Sequence, residues 1–363
     1  MNFPDPSQQP EASSFPAGNA FSPSAPAVQP DAPRSAPMRF HGDAGTYFGI
    51  WIVNLLLTIV TLGIYSAWAK VRKHRWFYGN TEVDGHVFEY HATGMQIFKG
   101  RLMALGVIIA TAVAGVIHPF IQLVVLLGLL VAVPWLMNSA MRFRARVTSW
   151  RNVRFDFQGS YGKAALVFLV MPFVGMLTLG LLMPMATRMA VRYTVNGHSW
   201  GGARFNVNPS LGQFYRAAGI ALLPALAIGA VLLLLGTVVQ MSIWHFLIMG
   251  VYLGFLVGTA YYAGHVLKLC VNDLSIEGGH TLRTDLSPWR HLWIVVSGLF
   301  ATAFSLGLLY PWALVRRHRY VTQSITLHAA PGLDAFVSSH QDRPGSFASE
   351  YGEMEGLSGL APL

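Results

Sequence analysis

The chain has 363 residues, of which 53% are hydrophobic and only 11% are charged, whereas a soluble domain carries about 25% charged residues. This deficit excludes an ordinary soluble globular protein and predicts an integral membrane protein. The net charge is +9. Because the basic residues flank apolar segments and form no separate basic domain, we expect contact with the lipid bilayer and its anionic phospholipid headgroups, and no nucleic-acid binding.

The two ends of the chain differ in composition from its middle. Residues 1–38 are rich in Pro, Ser and Ala and lack the apolar stretch of a signal peptide, so they predict a disordered tail. Residues 330–363 predict a second disordered tail, which is mildly acidic. The residues between them, 39–329, are expected to form one repeated transmembrane domain with β-hairpins.

Seven long apolar segments lie in this domain, and each is near the roughly 20 residues that a helix needs to cross a bilayer. None has an Asp, Glu, Lys or Arg in its central part. The sequence therefore predicts an all-α polytopic membrane bundle, with about seven transmembrane helices in internal repeats and small β-hairpin modules at the membrane surface. The segments span residues 48–68, 101–118, 120–140, 164–186, 217–238, 244–268 and 291–313.

An internal repeat marks the first, fourth and seventh of these segments, which end alike. In each of the three, a hydroxyl residue is followed two positions later by a glycine and then by a proline or tryptophan. Basic residues come next, and we expect these basic residues to bind lipid phosphates. The repeat signature comprises Thr61, Gly63, Trp68, Thr178, Gly180, Pro184, Ser305, Gly307, Pro311 and Trp312. The expected phosphate-binding residues are Lys70, Arg72, Lys73, Arg75, Arg316, Arg317 and Arg319.

Short β-prone runs separated by turn residues follow the apolar segments. The predicted hairpin turns are Asp84-Gly85, Asn196-Gly197 and Gly278-Gly279, since the central residues of a type I′ turn need φ > 0. An isolated hairpin is only marginally stable. We therefore expect the hairpins to pair with one another in a small sheet at the membrane surface.

Histidine and cysteine residues offer little evidence of a metal site. His86, His198 and His280 each follow a predicted turn, and imidazole suits zinc or copper, but solvent-facing histidines are the favoured interpretation. Cys270 is the single cysteine, which excludes a disulfide framework and a cysteine-based metal site. No metal and no cofactor is expected.

Two membrane topologies fit the sequence. Seven full crossings are favoured, and the positive-inside rule then places the C-terminus in the cytoplasm and the N-terminus outside. In the alternative, the three repeated segments enter the membrane and return without crossing, so that every basic hairpin faces the cytoplasm. Broken helices of this kind need protein or water around the freed backbone groups. The breaks would be Gly63, Gly180, Pro184, Gly307 and Pro311.

One stretch of the chain resembles a known family. The segments Phe40-His41-Gly42, Thr61-Leu62-Gly63-Ile64-Tyr65 and Val83-Asp84-Gly85 resemble the opening of the YjgN-type family of bacterial inner-membrane proteins of unknown function. The resemblance covers about residues 40–329. It implies a multi-pass inner-membrane location and carries over no catalytic or ligand-binding residue.

The sequence leaves the activity open. It contains no nucleophile-elbow, zinc-protease or phosphate-loop motif, so we expect no enzyme. No carboxylate lies within an apolar segment, which argues against proton-coupled transport by an acidic residue. A transporter, channel or lipid-handling protein is favoured, and the alternative is a membrane scaffold or envelope-associated interaction protein. Any protein partner is unidentified.

Overall fold

The structure is a computed structural model, which describes residues 32–239 and 243–341. The strands are β1 (Arg34–Pro37), β2 (Arg39–Phe40), β3 (Thr81–Val83), β4 (His86–Tyr90), β5 (Thr148–Trp150), β6 (Val153–Phe157), β7 (His198–Trp200), β8 (Ala203–Asn206), β9 (Ser275–Ile276), β10 (His280–Thr284) and β11 (Ile325–Ala329). The helices are α1 (Ala44–Val60), α2 (Ser66–Gly79), α3 (Gly94–Ile117), α4 (Pro119–Arg146), α5 (Tyr161–Ala165), α6 (Met171–Leu177), α7 (Met183–Asn196), α8 (Leu211–Val239), α9 (Ile243–Asp273), α10 (Pro288–Phe304), α11 (Tyr310–Gln323) and α12 (Leu333–Gln341). A π-helical turn, Leu166–Val170, joins α5 to α6.

The described strands form one antiparallel sheet of eleven strands in the order β1-β11-β10-β9-β8-β7-β6-β5-β4-β3-β2. Its two ends meet, because only Met38 separates β1, which pairs with β11, from β2, which pairs with β3. The Met38 N–H also donates to the Ile325 carbonyl at 2.9 Å. The sheet is therefore a nearly closed barrel.

Tight turns join the strand pairs at one end of the barrel. Asp84-Gly85, Arg151-Asn152 and Gly201-Gly202 each have two successive residues with positive φ, as in type I′ turns, whose twist matches that of antiparallel strands. Gly278-Gly279 also has positive φ at both residues. The turn predicted at Asn196-Gly197 lies elsewhere, because α7 continues through Asn196 and Gly197 caps it with φ −79°.

Two tryptophans show how the barrel interior is filled. Strand residues alternate between the two faces of a sheet, and Trp150 and Trp200 both point inwards, 6% and 3% exposed. The Trp150 indole N–H donates to the His86 carbonyl at 3.3 Å and that of Trp200 to the Val153 carbonyl at 3.2 Å. Each buried indole N–H therefore has a backbone acceptor on the neighbouring strand, as a buried donor requires.

Four described helices, α3, α4, α8 and α9, are long and apolar enough to cross a membrane. Each has 24 or more residues, which corresponds to at least about 36 Å and exceeds a hydrocarbon core of about 30 Å. They form two long hairpins, because each pair leaves the barrel from one strand and returns to the next.

The other three predicted spans each fold back on themselves as a short helical hairpin: α1–α2, α5–α7 (including the π-turn and α6) and α10–α11. The Tyr47 ring lies 4.8 Å from the Trp76 ring, and a side chain on Gly298 would contact Ala313. Each pair is therefore antiparallel and returns to the barrel. The prediction of an all-α bundle with about seven crossings is wrong: in the described residues four helices are candidate spans, and a barrel accompanies them.

The repeated signature forms the tip of each short hairpin. Leu62, Leu179 and Leu306 adopt left-handed φ values of 49°, 50° and 52°, and the glycine after each also has positive φ. The glycine N–H bonds the carbonyl five residues earlier at 2.7–2.8 Å, as in a Schellman helix end. The hydroxyl oxygens accept from the N–H four residues later: Thr61 from Tyr65, Thr178 from Leu182, and Ser305 from Leu309.

The prolines of the signature play a different part from the one predicted. Pro184 and Pro311 lie in the first turn of α7 and α11, where a missing N–H costs no hydrogen bond. They begin the returning helices, whereas the leucine-glycine turn reverses the chain.

Helices α1 to α11 form a ring at the barrel end opposite the tight turns. In the described residues α1 to α11 contact one another in chain order, and α11 also contacts α1. The ring therefore contains three short hairpins and two long ones, and the short hairpins α10–α11 and α1–α2 are neighbours where it closes. Strand β1 and helix α12 lie within the segments predicted as tails, and residues 1–31 and 342–363 of these tails are outside the described residues.

Candidate functional site

The barrel encloses a cavity of about 190 Å³. An engineered apolar cavity of about 150 Å³ in another protein stays dry and binds benzene, so this volume suits a short apolar segment. Its lining residues are Met38, Val83, Phe88, Trp150, Phe155, Trp200, Phe205, Leu274, Ile276, His280, Leu282, Leu327 and Leu333. All but His280 are apolar, and five consecutive strands, β4 to β8, each contribute one aromatic side chain.

Charged side chains seal the barrel at the tight-turn end. Arg34 bonds Asp84 at 2.5 Å and Asp334 at 2.8 Å, and Arg151 bonds Asp334 at 2.6 Å. The hydrogen bond with Asp334, followed by that with Asp84, raises the pKa of the Arg34 guanidinium above its ordinary value. Asp334 lies on α12, whose Leu333 side chain points into the barrel core. This end of the barrel is therefore closed by a helix fixed with ion pairs.

The opposite end of the cavity adjoins the helix ring. A second cavity of about 380 Å³ lies between α2 and α11, and both Met38 and Phe88 line it as well as the barrel cavity. His318 on α11 also lines it, with its ring 4.7 Å from Phe40 and its Nε2 3.2 Å from the Thr81 hydroxyl. The two cavities are therefore neighbours, with Met38 and Phe88 lining both of them, on the side that faces the helices.

Burial controls the protonation of the two histidines that line the second cavity. Desolvation, followed by repulsion from Arg317, lowers the pKa of His318 to about 4. Desolvation also lowers the pKa of His74, on the facing helix α2, to about 4, with Lys73 as the next cause. Both imidazoles are therefore neutral at physiological pH.

The three histidines predicted to follow hairpin turns do not converge. His86 is exposed on β4 and His198 is half-buried on β7, where its Nδ1 lies 2.6 Å from the Thr194 carbonyl. His280 is buried, and its Nδ1 accepts from the Ala330 N–H at 3.0 Å. In the described ranges no three His, Cys, Asp or Glu side chains form a group that could hold a metal ion. Cys270 is half-buried on α9.

The predicted phosphate-binding residues lie on α2 and α11, the returning helices of two short hairpins. Several have protein partners: Arg75 donates to the Ala92 carbonyl at 3.2 Å, and Arg319 to the Gly42 carbonyl at 2.8 Å. Arg316 donates to the Ser297 hydroxyl at 2.7 Å and lies over the Trp312 ring. The others, Lys70, Arg72, Lys73 and Arg317, lie on the same two helices. Lipid binding by the set stays a prediction.

The aromatic residues of the barrel cavity were not predicted as site residues, although the sequence carries a signal for them. Ser149-Trp150 is followed five residues later by Arg154-Phe155, and Ser199-Trp200 in the same register by Arg204-Phe205. In both hairpins the tryptophan and the phenylalanine line the cavity. This repeat of barrel-lining residues is independent of the repeat at the hairpin tips.

Comparison with known proteins assigns the family. Residues 35–354 match the family described as "Bacterial protein of unknown function (DUF898)". The inner membrane protein YjgN of Salmonella typhimurium strain LT2 is 26% identical over 366 residues, covering 84% of this chain and 91% of that protein. Its counterparts in Escherichia coli O157:H7 and Escherichia coli K12 are 36% and 35% identical over 153 residues, covering 41% of this chain and 38% of each relative.

No solved structure matches the chain. None of these three relatives has an enzymatic name, and all are named as inner membrane proteins. Together with the four apolar helices, they confirm the predicted inner-membrane location. The resemblance found in the sequence is confirmed as well, and the chain belongs to the DUF898 family of bacterial proteins of unknown function.

Proposed function

We propose that this protein is a lipid-handling membrane protein whose barrel takes up the end of a lipid acyl chain that enters through the helix ring. The single observation that carries the proposal is the apolar cavity, which is sealed at one end by α12 and at the other shares the lining residues Met38 and Phe88 with a second cavity beside the helices. An apolar cavity next to a source of acyl chains gains free energy by burying them, at about 25 cal/mol per Å² of apolar surface.

The same geometry disfavours a channel along the barrel axis. A solute leaving through the tight-turn end would have to break the ion pairs of Arg34 and Arg151 and displace Leu333 and the rest of α12. An aqueous path also needs polar lining, whereas the cavity is almost wholly apolar. Uptake and return through one opening fits a lipid-handling role better than passage through the barrel.

The charge distribution supports a cytoplasmic barrel. All 25 Lys and Arg residues lie outside 102–141 and 217–267, the ranges that contain most of the four long helices and the connections at their tips. The positive-inside rule favours the cytoplasm for loops rich in Lys and Arg. We therefore expect both ends of the described chain and the whole barrel on the cytoplasmic side.

The test uses vesicles of phosphatidylcholine that carries a photoactivatable diazirine near the end of one acyl chain. After illumination, mass spectrometry maps the crosslinked peptides. We expect crosslinks on strands β6 and β8, whose Phe155 and Phe205 line the cavity. Crosslinks confined to the four long helices would contradict the proposal.

A matched pair of variants controls this experiment. Val83→Trp fills the cavity from β3, since Val83 is buried and lines it, and we expect it to abolish the strand crosslinks. Val87→Trp places the same side chain on β4, where Val87 is exposed, and we expect the crosslinks to persist. Thermal unfolding of both variants verifies that the barrel is intact.

A further inference from the structure

A larger cavity lies on the membrane side of β6, where α4, α5 and α7 come together. Its volume is about 790 Å³, within the range of about 300–1,000 Å³ that is usual for small-molecule sites. It shares no lining residue with the barrel cavity. A ligand here would therefore be independent of one in the barrel.

Four cationic side chains line this cavity: Arg142, Arg146, Lys163 and Arg192, against one carboxylate, Asp156. Asp156 is engaged by Arg146, whose Nε lies 3.0 Å from Oδ1. The other three cations make no hydrogen bond or ion pair with any described residue and are exposed. Three unpaired positive charges around one cavity predict an anionic ligand, because uncompensated like charges repel one another.

The wall of the cavity is held by a buried hydrogen-bond network. Asn138 is 6% exposed and accepts from the Tyr193 hydroxyl, while its amide donates to the Gly159 carbonyl at 3.3 Å. A side chain on Gly159 would collide with Tyr193, so the linker between β6 and α5 packs directly on this pair. The cations therefore surround a cavity with a fixed wall.

The cavity has an apolar portion beside the cations. Leu166 and Val167, in the π-helical turn, and Met189 on α7 form this part of the lining. π-Turns often occur at functional sites because they displace the register of a helix. Arg142 and Arg146 lie in the last turns of the long helix α4, which is the level where a membrane helix meets lipid headgroups.

We propose that this cavity binds the phosphate group of an anionic lipid, with Arg142, Lys163 and Arg192 contacting the phosphate and Leu166, Val167 and Met189 contacting the start of the acyl chains. Arginine and lysine form short charge-assisted hydrogen bonds to phosphate oxygens. The adjoining apolar surface favours a lipid over free phosphate, which would leave that surface exposed to water.

The test is native mass spectrometry of the full chain, extracted from nanodiscs that contain equal amounts of phosphatidylglycerol and phosphatidylcholine. We expect retained phosphatidylglycerol to exceed phosphatidylcholine in the wild type. The double variant Arg142→Gln/Arg192→Gln should reduce retained phosphatidylglycerol about tenfold or more, since each change removes a charge-assisted contact. Both side chains are exposed, so we expect the variant to fold.

A second double variant gives the matched control. Arg204→Gln/Arg283→Gln removes the same charge from exposed residues of β8 and β10, outside the cavity. Retained phosphatidylglycerol should then equal that of the wild type. An equal loss in both double variants would show a general charge effect and overturn the proposal.

The last arm separates the lipid from free phosphate. Inorganic phosphate is added at millimolar concentration before extraction, and we expect the retained phosphatidylglycerol to be unchanged. If phosphate displaces the lipid from the wild type as completely as the arginine substitutions do, free phosphate is the better ligand and the lipid proposal is wrong.

Discussion

The short and long hairpins of the ring are made of similar apolar sequence, and yet only the helices of the long hairpins are long enough to be candidate membrane spans. Residues 44–69, 164–187 and 291–315 contain no Asp, Glu, Lys or Arg, and each range exceeds the roughly 20 residues of a membrane span. Hydropathy alone therefore predicts that they cross. The leucine-glycine turn within each instead reverses the chain. The position of this backbone turn, and not the apolar composition, therefore determines the length of the helices.

The forces that hold the two kinds of hairpin also differ. In the long hairpin α8–α9, side chains on Gly250, Gly254 and Gly258 would meet the backbone of α8, at 2.9 Å from the Ala225 carbonyl oxygen in the case of Gly254. Small residues four apart allow this close approach of membrane helices. The short hairpins instead carry a hydroxyl-capped turn at the tip and packing against neighbouring helices.

The largest expected effect is a yes-or-no result in cysteine labelling of intact cells. In a Cys270→Ser background, His118→Cys, at the α3–α4 connection, should react with an impermeant thiol reagent. His86→Cys and Asn206→Cys, on the exposed faces of β4 and β8, should react only after permeabilisation. Labelling of Asn206→Cys but not of His86→Cys in intact cells would mean that the short hairpin α5–α7 crosses the membrane. The distinction drawn between short and long hairpins would then be wrong.

The next largest effect is a loss of stability from disturbing the close glycine packing of the long hairpin α8–α9. Gly254→Leu should push α9 away from α8 and cost several kcal/mol, because backbone atoms block the new side chain and overpacking alone costs about 1–3 kcal/mol. The measurement is the yield and melting temperature of detergent-extracted protein.

The matched control for that variant lies in α3. Nothing lies within 4 Å of a side chain placed on Gly106, so Gly106→Leu should leave both the yield and the melting temperature near those of the wild type. If the two variants behave alike, close glycine packing is not what holds α8 to α9.

A smaller effect concerns the seam between the short hairpins α1–α2 and α10–α11. Since burial lowers the pKa of His318 to about 4, the folded state resists its protonation, whereas the unfolded chain takes up the proton near pH 6.5. Its contribution to stability is therefore complete above about pH 6.5 and is lost as the pH falls towards 4. The melting temperature should fall by a few degrees between pH 7.5 and 5.

His318→Asn tests the assignment of this pH dependence. The melting temperature of the variant should fall less between pH 7.5 and 5 than that of the wild type. The remaining fall comes from other histidines, chiefly His74, whose burial also lowers its pKa to about 4. A decrease of the same size in the variant and the wild type would assign the whole effect to other groups.

The smallest effect comes from the tip of a short hairpin. Leu306 has φ 52° and is 94% exposed, and a non-glycine residue in this conformation costs about 1–2 kcal/mol. Leu306→Gly should therefore raise the stability of the protein in detergent by about 1 kcal/mol. Leu308→Gly, at an exposed tip residue without positive φ, should give no gain. A loss of stability in both variants would show that the leucine side chains matter more than backbone strain.

The sequence predicted the four long helices well, because each is an uninterrupted apolar run. The sequence also located the repeat at Thr61, Thr178 and Ser305. It did not predict that the repeat reverses the chain, since leucine at a left-handed position is not a recognised turn signal. The barrel was missed because its closing pair joins β1 to β11, which local patterns do not report. The hairpin turn was misplaced to Asn196-Gly197 because two glycine-containing pairs lie five residues apart and only the tertiary structure chooses Gly201-Gly202.

The pairing of β1 with β11 sets the order of events during synthesis. Arg34 pairs with Ala329. Strand β1 therefore has no β11 to pair with until about 300 further residues have been synthesised, which takes on the order of 15–60 s of translation. During that time both sheet edges are unpaired, and unpaired edges are a template for aggregation. The barrel can therefore close only after β11 has left the ribosome, by which time the sequence of both long hairpins has already been synthesised.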